Sequence, residues 1–179
     1  NMYVSQWADP DLGGFTDDLV GCDTTLDNRG RHLSLGFVYN ATNNDQIYGG
    51  TPPALGYDFF KGPINAAGDT LGLASFNKYI NGTDPRSNEE TYNYMTGLNS
   101  DGSPVVDPFG NTTTFSVAGD PVSPGSQSWL DSSPADRRFM MSSGPFRMLP
   151  GDEQTIVVGL IVGQGSDRLS SISALRFND

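Results

Sequence analysis

Five carboxylates crowd the stretch from Trp7 to Asp23: Asp9, Asp11, Asp17, Asp18 and Asp23, set among Pro10, Gly13, Gly14 and Gly21. Like charges in a turn-rich segment repel one another unless a cation lies among them, and calcium takes roughly six to eight oxygens. The segment therefore predicts a calcium site, with all five Asp side chains as candidate ligands and backbone carbonyls near Leu12 or Val20 completing the shell. Asn43 and Asp45, in the polar turn that follows Asn40, are further candidates if that turn folds back towards Asp9 and Asp11. The spacing is not that of an EF-hand, which wants a Glu at the end of its loop, so the expected site is irregular. An acidic loop solvated by water alone is the competing reading.

Other chemistry is sparse. Cys22 is the only cysteine and His32 the only histidine, and nothing resembling a protease signature surrounds them. A small buried thiol is expected at Cys22, and a zinc site would need two or more carboxylates to complete its ligands. Glu89 and Glu90 fall early in a predicted helix, where their ordinary role is to stabilise its positive end. Trp7, Trp129 and the tyrosines read first as core, with a sugar-stacking platform as the rival. No catalytic residue is predicted, and the chain is not read as an enzyme.

The formal net charge is −11, and the first twenty-seven residues carry six Asp with no Lys, Arg or Glu. Such a surface repels polyanions, which argues against nucleic acid and anionic membrane faces and in favour of cations. No apolar run reaches the length of a membrane span, so membrane insertion is not expected. With a single cysteine there can be no internal disulfide, and calcium would take the place of such bridges in an exported domain.

The elements that must hold the acidic loop follow from composition. Asp outnumbers Glu eighteen to three and Lys occurs twice, a balance that favours turns over exposed helix. Ten Phe, seven Tyr and two Trp suffice for a core. The pattern predicts strands over residues 2–8 and 33–39, pairing across the acidic loop so that a cation would stabilise a sheet edge, with a turn over 27–31 between the loop and the second strand. Residues 47–56, interrupted by Pro52 and Pro53, are expected to cross the surface. Strands follow over 57–63 and within 70–80, then a helix from Asp84 as cap to Gly97 as stop. Residues 98–136 read as a long loop or insertion with one strand over 112–117. The apolar run Gln154–Gly163 is expected to be the central strand, covered on both faces, and residues 166–175 a short closing helix. The fold class expected is mainly β, sandwich-like, with long loops and one or two short helices, forming a single domain over 1–179 cut from a larger protein.

Several segments resemble an uncharacterised module of large exported proteins from Bacteroidota and related bacteria. These are Trp7-Ala8-Asp9-Pro10-Asp11-Leu12-Gly13, Asp17 to Thr24, Leu35 to Asn40, and Arg137 to Phe146. Proteins of this kind are secreted or held at the cell surface, with a sorting domain for type IX secretion beyond the module. The present chain departs from the pattern by adding Asp27 to His32 after the Cys-Asp-Thr-Thr-Leu segment. The resemblance implies an extracellular or surface location and partners within the same polypeptide, and it carries no activity. It also points to O-glycosylation at Thr70, within Asp69-Thr70-Leu71, and at Thr24. The function expected is a calcium-stabilised structural or adhesive extracellular module. A carbohydrate-binding or hydrolase-accessory domain, with glycans met by loops 98–136, is one alternative. A self-assembling filament or surface-layer subunit is another.

Overall fold

Nine strands and two helices make up the chain in a computed structural model that describes residues 1–24 and 34–179. The turn expected at 27–31, together with His32 and Leu33, lies outside the described residues. The fold is mainly β and sandwich-like, as its sequence leads one to expect. Strand β1 (Met2–Ala8) pairs antiparallel with β8 (Arg137–Phe146), which pairs in turn with β5 (Leu73–Ile80), giving a three-stranded sheet. The second sheet has the order β2 (Asp18–Cys22), β3 (Leu35–Asn40), β4 (Ala54–Lys61), β9 (Val157–Gly163). A hairpin of β6 (Val105–Val106) and β7 (Thr112–Thr113) stands apart from both.

Between the two sheets lies the main core, in which Val20, Cys22, Val38, Phe59, Phe76, Phe139 and Met141 are packed together. Helix α1 (Asn88–Met95) covers the outer face of the first sheet through Tyr94 against Tyr79 and Met140. Helix α2 (Arg168–Asn178) covers the outer face of the second, where Ile172 and Leu175 meet Leu35, Phe37, Tyr39 and Ile161. A side chain at Gly163 would run into the Leu175 backbone, so glycine there sets how closely α2 approaches β9. The result is four layers, helix, sheet, sheet and helix, which accounts for the burial of β3 along its whole length; in β2, Leu19 joins the same cluster, against which Val122 packs.

Several sequence expectations are corrected. The strands over 2–8 and 33–39 do not pair: β1 lies in one sheet and β3 in the other, and the residues between them hold β2, whose Asp18 is fully buried opposite Asn40. The Asp17-Asp18 pair disguised this strand as a turn. The stretch 47–56 is only partly a surface crossing, because the two prolines immediately precede the central strand β4, which begins at Ala54. Helix α1 is capped by Ser87, whose Oγ accepts the Glu90 N–H at 3.1 Å, while Asp84 is drawn away to Arg138. The strand expected over 112–117 shortens to β7, after which Phe115 bridges Phe76 of β5.

The largest correction concerns β9, which is an edge strand and not the central one. Its register pairs Val158, Leu160 and Val162 with Phe59, Tyr57 and Leu55, all packed in or against the core between the sheets. Paired residues share a face, so these three side chains also point to the inter-sheet side. There they overhang the smaller sheet and stay 39%, 66% and 55% exposed.

Candidate metal centre

The acidic segment connects the two sheets. It leaves β1 at Ala8, passes a 3-10 turn at Phe15–Asp17 and enters β2 at Asp18. Asp11 takes a left-handed φ of 42°, a conformation that Asp and Asn adopt more readily than most residues. Gly13, at φ 71°, lies so close to Asp45 that any side chain would collide with its carboxylate. These two positions turn the chain so that its Asp side chains face different neighbours.

Of the five predicted ligands, Asp9 and Asp11 come together, and a third carboxylate, Asp136, joins them: one oxygen from each lies within 4.8 Å of the others. Two oxygens that both sit about 2.4 Å from one calcium ion can be at most about 4.8 Å apart, so the trio fits a shared ion. Asp9 Oδ1 and Asp136 Oδ1 are shielded from solvent and have no hydrogen-bond partner. The other oxygens are engaged: Asp9 Oδ2 meets Arg138 Nη2 at 2.9 Å, and Asp136 Oδ2 accepts from Asn81 Nδ2 at 2.9 Å. Arg138 also reaches Asp84 at 2.7 Å and lies over the Trp7 ring, 5.8 Å from its centre. Burial pushes the Asp11 carboxyl up, and Asp9 and Asp136 push it further, against the opposing pull of Arg138.

Asp17, Asp18 and Asp45 form a second group behind the first. Asn40 Nδ2 donates to Asp17 Oδ1 at 3.3 Å and to Asp45 Oδ2 at 3.0 Å. Burial raises the Asp45 carboxyl, but the N–H groups of Tyr48, Gly14 and Ile47 outweigh it and leave the group below its ordinary range. Asp18 differs. It is fully buried, its Oδ2 accepts the Leu12 N–H at 3.2 Å, and its Oδ1 has no partner. Burial first, and then the nearby charges of Asp17, Asp11 and Asp45, push its carboxyl up to about 8. No ion pair among the described residues reaches Asp11, Asp17, Asp18 or Asp45.

Asp23 belongs to neither group. Both of its oxygens accept from Arg176 of α2 at 2.7 Å, and the same guanidinium reaches Asp120 at 2.8 Å. Asn43 is occupied at the start of α2, where its Oδ1 accepts the Arg168 N–H at 3.1 Å. Thr70 is exposed, as a modified residue must be, and Thr24 is half-buried. The Cys22 thiol is buried against the Ser116 carbonyl, and burial pushes it well above its ordinary range. Within the described residues no helix is long and apolar enough to cross a membrane.

Two acidic residues outside the predicted set complete these networks. Asp136 falls in the segment read as loop, and only the chain reversal into β8 brings it to Asp9. Asp131, also in that segment, is fully buried: its Oδ1 takes Lys78 Nζ at 2.7 Å and Arg137 Nη2 at 2.8 Å, and its Oδ2 accepts the Val20 N–H at 3.2 Å. In comparisons with family models, curated proteins and solved structures, the chain has no match.

Proposed function

We propose that the protein is a calcium-stabilised structural or adhesive module of a secreted or surface-attached bacterial protein, with the ion held by Asp9, Asp11 and Asp136. The single observation that supports it is the pair of solvent-shielded, partnerless oxygens, Asp9 Oδ1 and Asp136 Oδ1, in a trio whose spacing suits one hard cation. Asp9 follows β1 and Asp136 precedes β8, so an ion there ties the two chain reversals at one end of the first sheet. Asp11 links that end to the acidic group around Asp18 in the second sheet. The ion would supply positive charge to a corner in which Arg138 is already shared between Asp9 and Asp84. The extracellular location and the partners within the same polypeptide rest on the residue resemblance described above.

The test is thermal unfolding with millimolar calcium and with chelator, alongside elemental analysis of the purified protein. Calcium at about a hundred times its dissociation constant adds roughly 2.7 kcal/mol, a rise of roughly 5–10 °C for a chain of this size. Asp11→Asn and Asp136→Asn should each remove most of that rise. An identical midpoint in both buffers, with no bound metal, overturns the reading.

A second reading, self-association, is favoured by β9. Residues 154–164 carry no charge in a chain of net charge −11, and Val158, Leu160 and Val162 leave apolar surface beside an open strand edge. Such an edge templates another strand unless charge or proline blunts it.

A further inference from the structure

The segment between the hairpin and β8 shapes a second cleft, on the side of the molecule that carries Asp120 and Trp129 rather than the acidic trio. It encloses about 250 Å³ and is lined by Asp107, Phe115, Asp120, Gln127, Ser128 and Trp129, among others. Its walls are held from behind. Asp107 closes a tight turn, accepting the N–H groups of Phe109 and Asn111 at 2.9 and 2.8 Å. Asp120 is fixed by Arg176 at 2.8 Å and by the Val122 N–H at 3.0 Å. The Gly119 N–H donates to the Trp129 carbonyl at 2.9 Å, and Ser128 Oγ accepts the Gly125 N–H at 2.8 Å. Trp129, half-buried, packs against the main core and lines the cleft.

We propose that this cleft binds one ring of a neutral saccharide, stacked on Trp129 and held through its hydroxyls by Asp107, Asp120 and Gln127. An aromatic side chain beside fixed hydrogen-bonding groups suits a sugar ring, which presents apolar C–H groups on one face and hydroxyls around its edge. Both carboxylates are ionised and accept only, so they suit hydroxyl donors, while Gln127 supplies both donor and acceptor. Among the described residues, the guanidinium that reaches the cleft is Arg176, and it is committed to Asp23 and Asp120. The same two carboxylates repel an acidic sugar, a phosphate or a sulfate. The volume lies below the roughly 300–1,000 Å³ of drug-sized sites, which limits the bound part to a small ligand group. The proposal does not depend on the calcium reading, because none of its residues belongs to the acidic trio.

The test titrates the protein with methyl glycosides of glucose, galactose, mannose and N-acetylglucosamine, with glucuronate as the anionic control, by tryptophan fluorescence and protein-observed NMR. Running it in calcium and again in chelator separates this site from the metal centre. At least one neutral glycoside is expected to bind and to perturb the Trp129 indole. Gln127→Ala, at an exposed position, should weaken binding about ten-fold, the worth of one hydrogen bond to a strong partner. Trp129→Ala should abolish binding, and glucuronate should bind at least about ten-fold more weakly than glucose, as charge repulsion requires. The proposal is overturned if no neutral glycoside binds up to tens of millimolar, if Gln127→Ala leaves binding unchanged, or if glucuronate binds as well as glucose.

Discussion

A carboxyl held near pH 8 changes what folding does to protons. In the unfolded chain Asp18 loses its proton near 3.8, whereas in the folded one it keeps it up to about 8. Between those values the folded state binds the extra proton, so the stability that Asp18 contributes is fully present at low pH and is lost as pH rises towards 8. The slope approaches about 1.4 kcal/mol per pH unit for a single proton. Asp58, pushed up to about 6 by burial and then by Asp179, adds the same sign over a narrower window. In chelator, the denaturant midpoint is therefore expected to fall between about pH 5 and pH 8, and Asp18→Asn should flatten the upper part of that fall. A midpoint that rises over the same range would show Asp18 to be ionised in the fold. At this scale the sequence shows where acid accumulates and not what it meets: Asp23 reaches Arg176, 153 residues away, and Asp9 finds Asp136 and Arg138 only because β1 pairs with β8.

Among elements, the segment 98–136 is a strap and not a free insertion. Asp131 fastens it to β2 through the Val20 N–H, to β5 through Lys78 and to β8 through Arg137. Removing one partner of a buried charge group leaves the others uncompensated, so Asp131→Ala should cost roughly 3–5 kcal/mol in denaturant unfolding. Asp131→Asn, which keeps an acceptor for Val20, should cost less; a loss under about 1 kcal/mol for the alanine variant would deny the strap role. Elements with purely local signals were legible in the sequence. Strand β1 is one, and helix α2 is another, where Asp167 accepts the Leu169 and Ser170 N–H groups as its cap signal predicts. Strand β2 was hidden because Asp18 is a turn-former placed in a buried ladder. The position of β9 was misread because an apolar run reports affinity for a core without reporting whether a second sheet extends far enough to cover it.

For the molecule as a whole, the unequal sheets matter most. Three strands lie over four, and the overhang falls at β9. If β9 carries self-association, sedimentation should show a concentration-dependent dimer, and Leu160→Lys should return it to monomer without lowering the unfolding midpoint by more than about 1 kcal/mol, the usual scale for an exposed site. A parent protein that stays monomeric at high concentration removes that reading. Two of the three other sheet edges are already bridged: Ala135 bridges Asp18 of β2, and Phe115 bridges Phe76 of β5. The strap has therefore used up one flank of the sandwich. Among the described residues, β9 is then the open edge of the four-stranded sheet and β1 that of the three-stranded one. An antiparallel β9 pair is related by a two-fold axis that consumes the β9 edge of both copies, so growth through the four-stranded sheet stops at two.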